Sequence, residues 1–448
     1  MDSVIFGLIV ALRVGVPLAI PRFPLPAIVA ALVIDAADQT MLAAFDAEPD
    51  NYQGYDKALD IYYLAIAYLS TLRNWPARAA FGTSQFLWYY RLIGVVAFEF
   101  SGVRALLIVF PNTFEYFFIA FEAIRLRWDP ARLSARNIVF LAAAIWIGIK
   151  LPQEYWIHVA QLDFTDALDN PAFATLVVVG LVVLALIAWR LSRRAPAADW
   201  SPISFDVDAH RTTVPFRPAE ASPDRWWLRL TEYPLVEKTV LTGLTVAVFS
   251  QLFEVEASVL QITLACGFIV IVNAWFGGLL RRRGVSWTNS LVQFVALLFV
   301  NWGSLFAYEI LGGRFGAELQ TGPTLVMLGL LTILVILYNR FWAIRQADNA
   351  ETVTSPWVVR PREGRMIAGV AAGIAQRYGW DPSKVRLALV ASMLFPGPQV
   401  AFYVAAWLAI PGEPAPELLP NDQSLPVQPS TDALPLDDTP PAAPPSAG

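Results

Sequence analysis

The sequence predicts an all-α, multi-pass transmembrane helical bundle of about 11–12 helices, ending in a short helical module and a Pro-rich tail. Three observations carry this. The 448 residues are 56% hydrophobic and only 15% charged, against the ~25% charge of ordinary soluble domains. The mean hydropathy is +0.50. Apolar runs of about twenty residues recur along the chain, and in lipid such runs must be helices, because every backbone polar group has to be satisfied within the segment. The net charge of −5 says little, since the side of the membrane on which charges fall matters more than their sum; the single cysteine, Cys266, leaves no intrachain disulfide and no cysteine metal cluster. No basic stripe interleaved with aromatics supports nucleic-acid binding.

The runs are Ser3–Ile20, Leu25–Phe45, Leu59–Trp75, Thr83–Ser101, Ala105–Ile124, Asn137–Leu151, Pro171–Arg190, Val236–Phe253, Ser258–Leu280, Trp287–Leu311, Pro323–Phe341 and a last one within Val385–Ile410. The start, MDSVIFGLIVALRVG, has no basic region before its apolar stretch, so it reads as a first helix rather than a cleaved signal. Arg22, Arg73, Arg78, Arg125, Arg127, Arg132, Arg136, Arg190, Arg193, Arg194, Arg281, Arg282, Arg283, Arg340 and Arg345 fall on alternate loops. An Arg/Lys excess marks the cytoplasmic side, which puts the N-terminus and the acidic loops outside. Arg104 and Arg314 are isolated exceptions. The expected organisation is a charge-rich bundle over residues 1–190, a polar cytoplasmic linker over 191–235, a second bundle over 236–343, a linker over 344–361, a helical module over 362–413 and a disordered tail over 414–448.

Within the first bundle, Asp35 and Asp38 are three apart and Asp56 and Asp60 four apart, so each pair lies on one helix face. A hairpin of the two helices brings all four together. Converging carboxylates repel unless a cation lies between them, and an oxygen-rich set suits Mg²⁺ or Ca²⁺. The spacing resembles that of CDP-alcohol phosphatidyltransferases, Asp-x2-Asp-Gly-x2-Ala-Arg-x8-Gly-x3-Asp-x3-Asp. That resemblance implies Asp35, Asp38 and Asp56 as metal ligands and Asp60 as a general base, in an enzyme acting on lipid-linked phosphate. The chain departs from the pattern at Gln39, Leu42, Ala43 and Tyr52, which removes the arginine and glycines beside the phosphate. A second acidic set, Glu154, His158, Asp163 and Asp166, follows on a loop expected on the same side. It reads as a metal or proton-transfer cluster, or as an interfacial helix with Tyr155 and Trp156 at headgroup level. The other histidine, His210, falls in the polar linker. Glu115 lies inside an apolar run and needs a partner, for which Arg91 is the expected one; Arg13 poses the same requirement in the first run.

The module REGRMIAGVAAGIAQRYGWDPSKVRLALV reads as a small-residue helix over Met366–Tyr378 with Gly369 and Gly373 four apart. Asp381 and Pro382 then open the next helix. The string Arg365, Met366, Ala368-Gly369-Val370, Ala372-Gly373-Ile374-Ala375, Tyr378-Gly379, Asp381-Pro382, Val385-Arg386, Tyr403 and Pro411 closely resembles the PspC domain of the phage-shock-protein system. The resemblance implies a regulatory or interaction module for envelope-stress sensing, without catalysis, in a bacterial plasma membrane. Arg365, Gly369, Gly373, Asp381, Pro382 and Arg386 would be its interaction motif, and membrane lipids and stress-signalling proteins its partners. A regulator is therefore the preferred function, ahead of a divergent metal-dependent enzyme using Asp60 as base, or a transporter.

Overall fold

A computed structural model describes residues 2–45, 52–158, 170–197, 199, 233–253, 258–282, 290–310, 321–351, 359–361, 369–392 and 399–410. Outside these lie the loop with Asp46 and Asp50, residues Asp163 and Asp166, the side chain of His158, most of the polar linker with His210, Arg365 and Met366 of the small-residue helix, and the Pro-rich tail. The described residues form helices α1 (Asp2–Gly15), α2 (Pro24–Ala44), α3 (Tyr52–Asn74), α4 (Arg78–Ser101), α5 (Ala105–Val109), α6 (Thr113–Arg125), α7 (Ala135–Ile145), α8 (Leu151–His158), α9 (Pro171–Arg194), α10 (Tyr233–Leu252), α11 (Val259–Arg282), α12 (Ser290–Ile310), α13 (Thr321–Glu351), α14 (Val370–Tyr378), α15 (Pro382–Ser392) and α16 (Gln399–Ala409). Six of the described stretches are long and apolar enough to cross a membrane, among them Pro24–Ala44, Ala105–Arg125 and Val259–Gly277. The protein is an all-α multi-pass membrane bundle.

Several boundaries differ from the sequence reading for definite reasons. The Ala105–Ile124 run is broken at Phe110-Pro111-Asn112, because Pro111 cannot donate to the ladder, and it becomes α5 and α6. The short sixth run extends to His158 by way of a π turn over Trp146–Lys150 that joins α7 to α8. Helix α13 continues through Glu351, so the first part of the expected 344–361 linker is helical. Gly369, expected inside a helix, instead precedes α14 with φ +79°, a conformation open to glycine.

The core is aromatic and centres on α3, whose residues Ile61–Leu69 are all buried. Tyr68 stacks on Trp88 of α4 at 5.8 Å, and both rings meet Phe114 of α6. At one end of α3, Asn74 donates to the carbonyl of Pro21 (3.0 Å), and Trp75 donates to Glu122, which also accepts from Arg125 at 2.8 Å. Arg345 of α13 donates to the Trp75 carbonyl at 2.9 Å and lies over the Phe81 ring. The chain segments bearing Arg22, Arg73, Arg125 and Arg345 thus share one end of the bundle.

Helix α10 packs against α11 and α13, and also against α3 and α4, so the segments on either side of the polar linker share a core. Its contact with α11 is close: a Cβ added at Gly243 would meet the Thr263 backbone at 2.9 Å. The tie to α3 and α4 is one fully buried carboxylate. Glu237 accepts from Tyr68, from Gln85 at 2.6 Å and from Tyr338 of α13 at 2.7 Å. Nothing local in the sequence links Glu237, at the start of the Val236–Phe253 run, to Tyr68, Gln85 or Tyr338. Buried donors stripped of their acceptor cost about 1–3 kcal/mol each. Glu237→Ala is expected to lower stability by about 3 kcal/mol or more, with Glu237→Gln losing clearly less, in thermal unfolding of the purified protein.

Candidate functional site

The four aspartates singled out from spacing converge, and what they converge on is Arg13. In α1, Arg13 is the one cationic side chain, and it follows the apolar stretch Val4–Leu12. Its Nη1 donates to Asp38 Oδ2 and to Asp56 Oδ1 at 3.0 Å; its Nη2 donates to Asp35 Oδ1 and to Asp60 Oδ1 at 3.0 Å. Each terminal nitrogen therefore serves one carboxylate from α2 and one from α3. The spacing explains the geometry: three and four residues place each pair on the face that its helix turns toward α1. The guanidinium and the Asp38 carboxyl are buried, while Asp35, Asp56 and Asp60 stay partly exposed, at 26%, 35% and 33%. Tyr52 donates to Asp38 Oδ1 at 2.6 Å. The Tyr55 ring lies 5.6 Å from the guanidinium. Tyr62 donates to the carbonyl of Val14 at 3.0 Å and clamps α1 against α3.

The set lies within the bundle rather than at its border. Asp35 is about 16 Å along α2 from Pro24, at about 1.5 Å per residue. Helix α3 begins at Tyr52, ahead of the expected Leu59, so Asp56 and Asp60 are inside a helix. One oxygen each from Asp35, Asp38 and Asp56 lie within 4.8 Å of one another, and such an oxygen set has the chemistry of a hard-cation site. Both Nη atoms of Arg13 lie among these oxygens, so the chain sets a cation of its own where the four carboxylates meet. Tyr52, at the position of a glycine in the phosphatidyltransferase pattern, brings its hydroxyl onto Asp38 and its ring beside Tyr55 at 5.9 Å.

A second group of polar side chains continues from the first. Tyr63, three residues beyond Asp60, donates to Glu115 Oε1 at 3.0 Å, and Asn112 donates to Glu115 Oε2. The expected Arg91–Glu115 contact is not direct: Arg91 is within electrostatic reach of Glu115, but it donates to the carbonyl of Phe110 at 2.8 Å, an acceptor freed by the break at Pro111. Lys150, at the end of the π turn, is buried within electrostatic reach of Glu115, Glu154 and Asp60. Its ammonium donates to Gln153 at 3.0 Å and lies 4.0 Å from the centre of the Tyr116 ring. Glu154 is buried here. The rest of the second expected cluster, the His158 side chain with Asp163 and Asp166, lies outside the described residues. Arg13 carried a signal, being a cation inside an apolar run. Lys150 did not, because nothing local links it to Glu115.

In the C-terminal module, α14 is closed by Gly379 at φ +67°, and Trp380 stacks on Tyr378 at 5.1 Å. Asp381 caps α15 by accepting the Ser383 N–H at 2.7 Å, ahead of Pro382. That bond holds the Asp381 carboxyl below the ordinary carboxylate range. Gly373 is buried in α14, and Arg386 lies on α15. Helix α16 packs on α4, where Phe402 meets Phe86 edge-on at 5.0 Å and Ala405 is fully buried.

Two outcomes follow. Removing one partner of a buried ion cluster costs about 3–5 kcal/mol, so Arg13→Met is expected to destabilise the bundle strongly in thermal unfolding, and Asp56→Asn, at the most exposed carboxylate, much less. The Asp381 cap, formed by the ionised carboxyl, contributes above the unfolded pKa and is lost as pH falls through the lower folded one. Amide exchange in the first turn of α15 is therefore expected to be protected at neutral pH. That protection is expected to fall only below the ordinary carboxylate value, and to be absent in Asp381→Ala.

No curated protein and no solved structure matches the chain. Residues 356–413 match the PspC domain family, which covers Gly369, Gly373, Asp381 and Arg386 and all of α14, α15 and α16. The chain is a multi-pass membrane protein that carries a PspC domain over residues 356–413.

Proposed function

We propose that this protein is a regulator in a bacterial plasma membrane that reports envelope integrity, with the charged helical bundle as its sensing part and the PspC domain as its output. The observation that carries this reading is the contact between the two: α16, the last helix of the matched region, packs along α4 through Phe402 and Phe86. Helix α4 also contributes Gln85 to the Glu237 site and Arg91 to the break beside Glu115. A disturbance of the bundle's polar interior therefore reaches the PspC domain by way of one helix. Proteins of envelope-stress signalling are its proposed partners, and membrane lipids its surroundings.

Ionisable side chains within a membrane are costly and mark function, and here they are concentrated around Arg13 and Glu115. Their pairing suits a sensor: partly exposed Asp35, Asp56 and Asp60 face what lies beside the bundle, while Arg13 and Asp38 hold three helices together. The arginine pattern favours an outward-facing position for this set.

The test is removal of residues 362–448 from the full chain in cells. The expected result is an altered envelope-stress response while the remaining bundle still inserts in the membrane; an unchanged response with normal insertion would contradict the reading.

A further inference from the structure

We infer that α15 and α16 form a re-entrant membrane hairpin whose partner is one lipid leaflet. The chain enters the bilayer at the arginine-bearing end of the bundle, returns near mid-depth and leaves by the same face. The apolar side chains that α15 exposes are covered by the acyl chains of that leaflet. The inference does not depend on the regulatory reading, because it concerns only where these two helices lie.

The depth of α16 is set by its neighbours. Phe402 meets Phe86 of α4, and Phe86 lies 6.4 Å from Trp146. Trp146 stands at the middle of the apolar span Ala135–Trp156. Phe86 itself is about 12 Å of helix beyond Arg78, at about 1.5 Å per residue. The other end of α16 comes back to the arginine-bearing end. Ile410 gives its carbonyl to Arg360 Nε at 2.6 Å, and Arg360 follows α13, whose Arg345 bonds Trp75 at that end.

Helix α15 runs the opposite way. Just before it, Tyr378 and Trp380 are stacked and exposed. Its two charged side chains, Lys384 and Arg386, stand in its first half, and Leu387–Ser392 carry no charge. Aromatic and basic side chains gather at the membrane border, so this end is the point of entry. The uncharged end meets the deep end of α16: Gln399 Nε2 donates to the carbonyl of Ser392 at 2.8 Å. The last carbonyls of a helix have no partner within it, and in hydrocarbon each has to find one. Gln399 supplies that donor, which accounts for an amide in an otherwise apolar helix. Each helix has 11 residues, about 16 Å, or half of the ~30 Å hydrocarbon core. Helix α14, only 9 residues long, packs on both. A single straight crossing would carry the two apart.

The covering of α15 follows from this depth. None of its residues is buried, and Leu387 and Val390 are 69% and 62% exposed. Val400, at the start of α16, is equally open. These side chains meet acyl chains, while Lys384 and Arg386 stand level with headgroup phosphates of opposite charge. A hairpin of half depth displaces lipid in one leaflet alone.

The test uses the full-length chain with Cys266→Ser as background and, one at a time, Ser383→Cys, Val390→Cys and Gly412→Cys. A membrane-impermeant maleimide is applied to sealed vesicles of each orientation. Positions 383 and 412 are expected to label from the same side, and position 390 only after detergent is added. Labelling of 383 and 412 from opposite sides means a single crossing and overturns the inference. Ready labelling at 390 without detergent places α15 in water and also overturns it, as does a disulfide between two copies at 390. Wild-type protein gives a second measurement that needs no substitution. In nanodiscs containing phospholipid with a diazirine on its acyl chain, adducts are expected within Leu387–Ser392 as well as at the exposed Leu186 of α9. Adducts at Leu186 with none in α15 would overturn the inference.

Discussion

One guanidinium inside an apolar bundle is the constraint around which the N-terminal helices are arranged. A buried Arg13 has to be paired, and pairing it takes carboxylates from two further helices. Three helices with little else polar on their facing surfaces are thereby fixed in register: α1 by Arg13, α2 by Asp35 and Asp38, α3 by Asp56 and Asp60. In lipid there is no hydrophobic drive between helices, so such polar contacts and close packing carry the specificity of assembly. Helix α3 then passes the register on. Its Tyr63 reaches Glu115 in α6, and its Tyr68 reaches Glu237 in α10, so one helix ties the early segments to the late ones.

The arrangement also decides what the aspartates do. Four carboxylates at phosphatidyltransferase spacing invite a metal reading, and their oxygens do come together. The chain supplies its own cation at that point. It replaces the glycine of the pattern with Tyr52, which bonds Asp38, and it lacks the neighbouring arginine, with Ala43 in its place. The same carboxylate geometry forms an internal ion cluster, with three of its members partly exposed.

What was legible in the sequence follows from how local each signal is. The helices and the convergence of the Asp pairs were readable because apolar run length and three- or four-residue spacing are local. The PspC domain was readable because its residues form an ordered string. Arg13 as the common partner was not readable, since it lies far in sequence from Asp35 and Asp60 and could equally have met Glu115. Arg91 lies within reach of Glu115 but does not bond it, because Asn112 and Tyr63 fill its oxygens and the break at Pro111 offers Arg91 a free carbonyl. Gly369 was expected inside a helix, since small-residue spacing looks the same whether a glycine packs a helix or opens one. The π turn had one signal that went unread, Pro152 directly beyond it, which cannot donate to the ladder.

The PspC domain rests on the charged bundle through α4. Site-directed cross-linking in native membranes tests it most directly, with Cys266→Ser as background and Phe86→Cys paired with Phe402→Cys. An intramolecular cross-link between positions 86 and 402 is expected with a short bifunctional reagent, and none when position 402 is paired with the exposed Phe140→Cys on α7. No cross-link between 86 and 402, or one formed only between two copies of the chain, would contradict it.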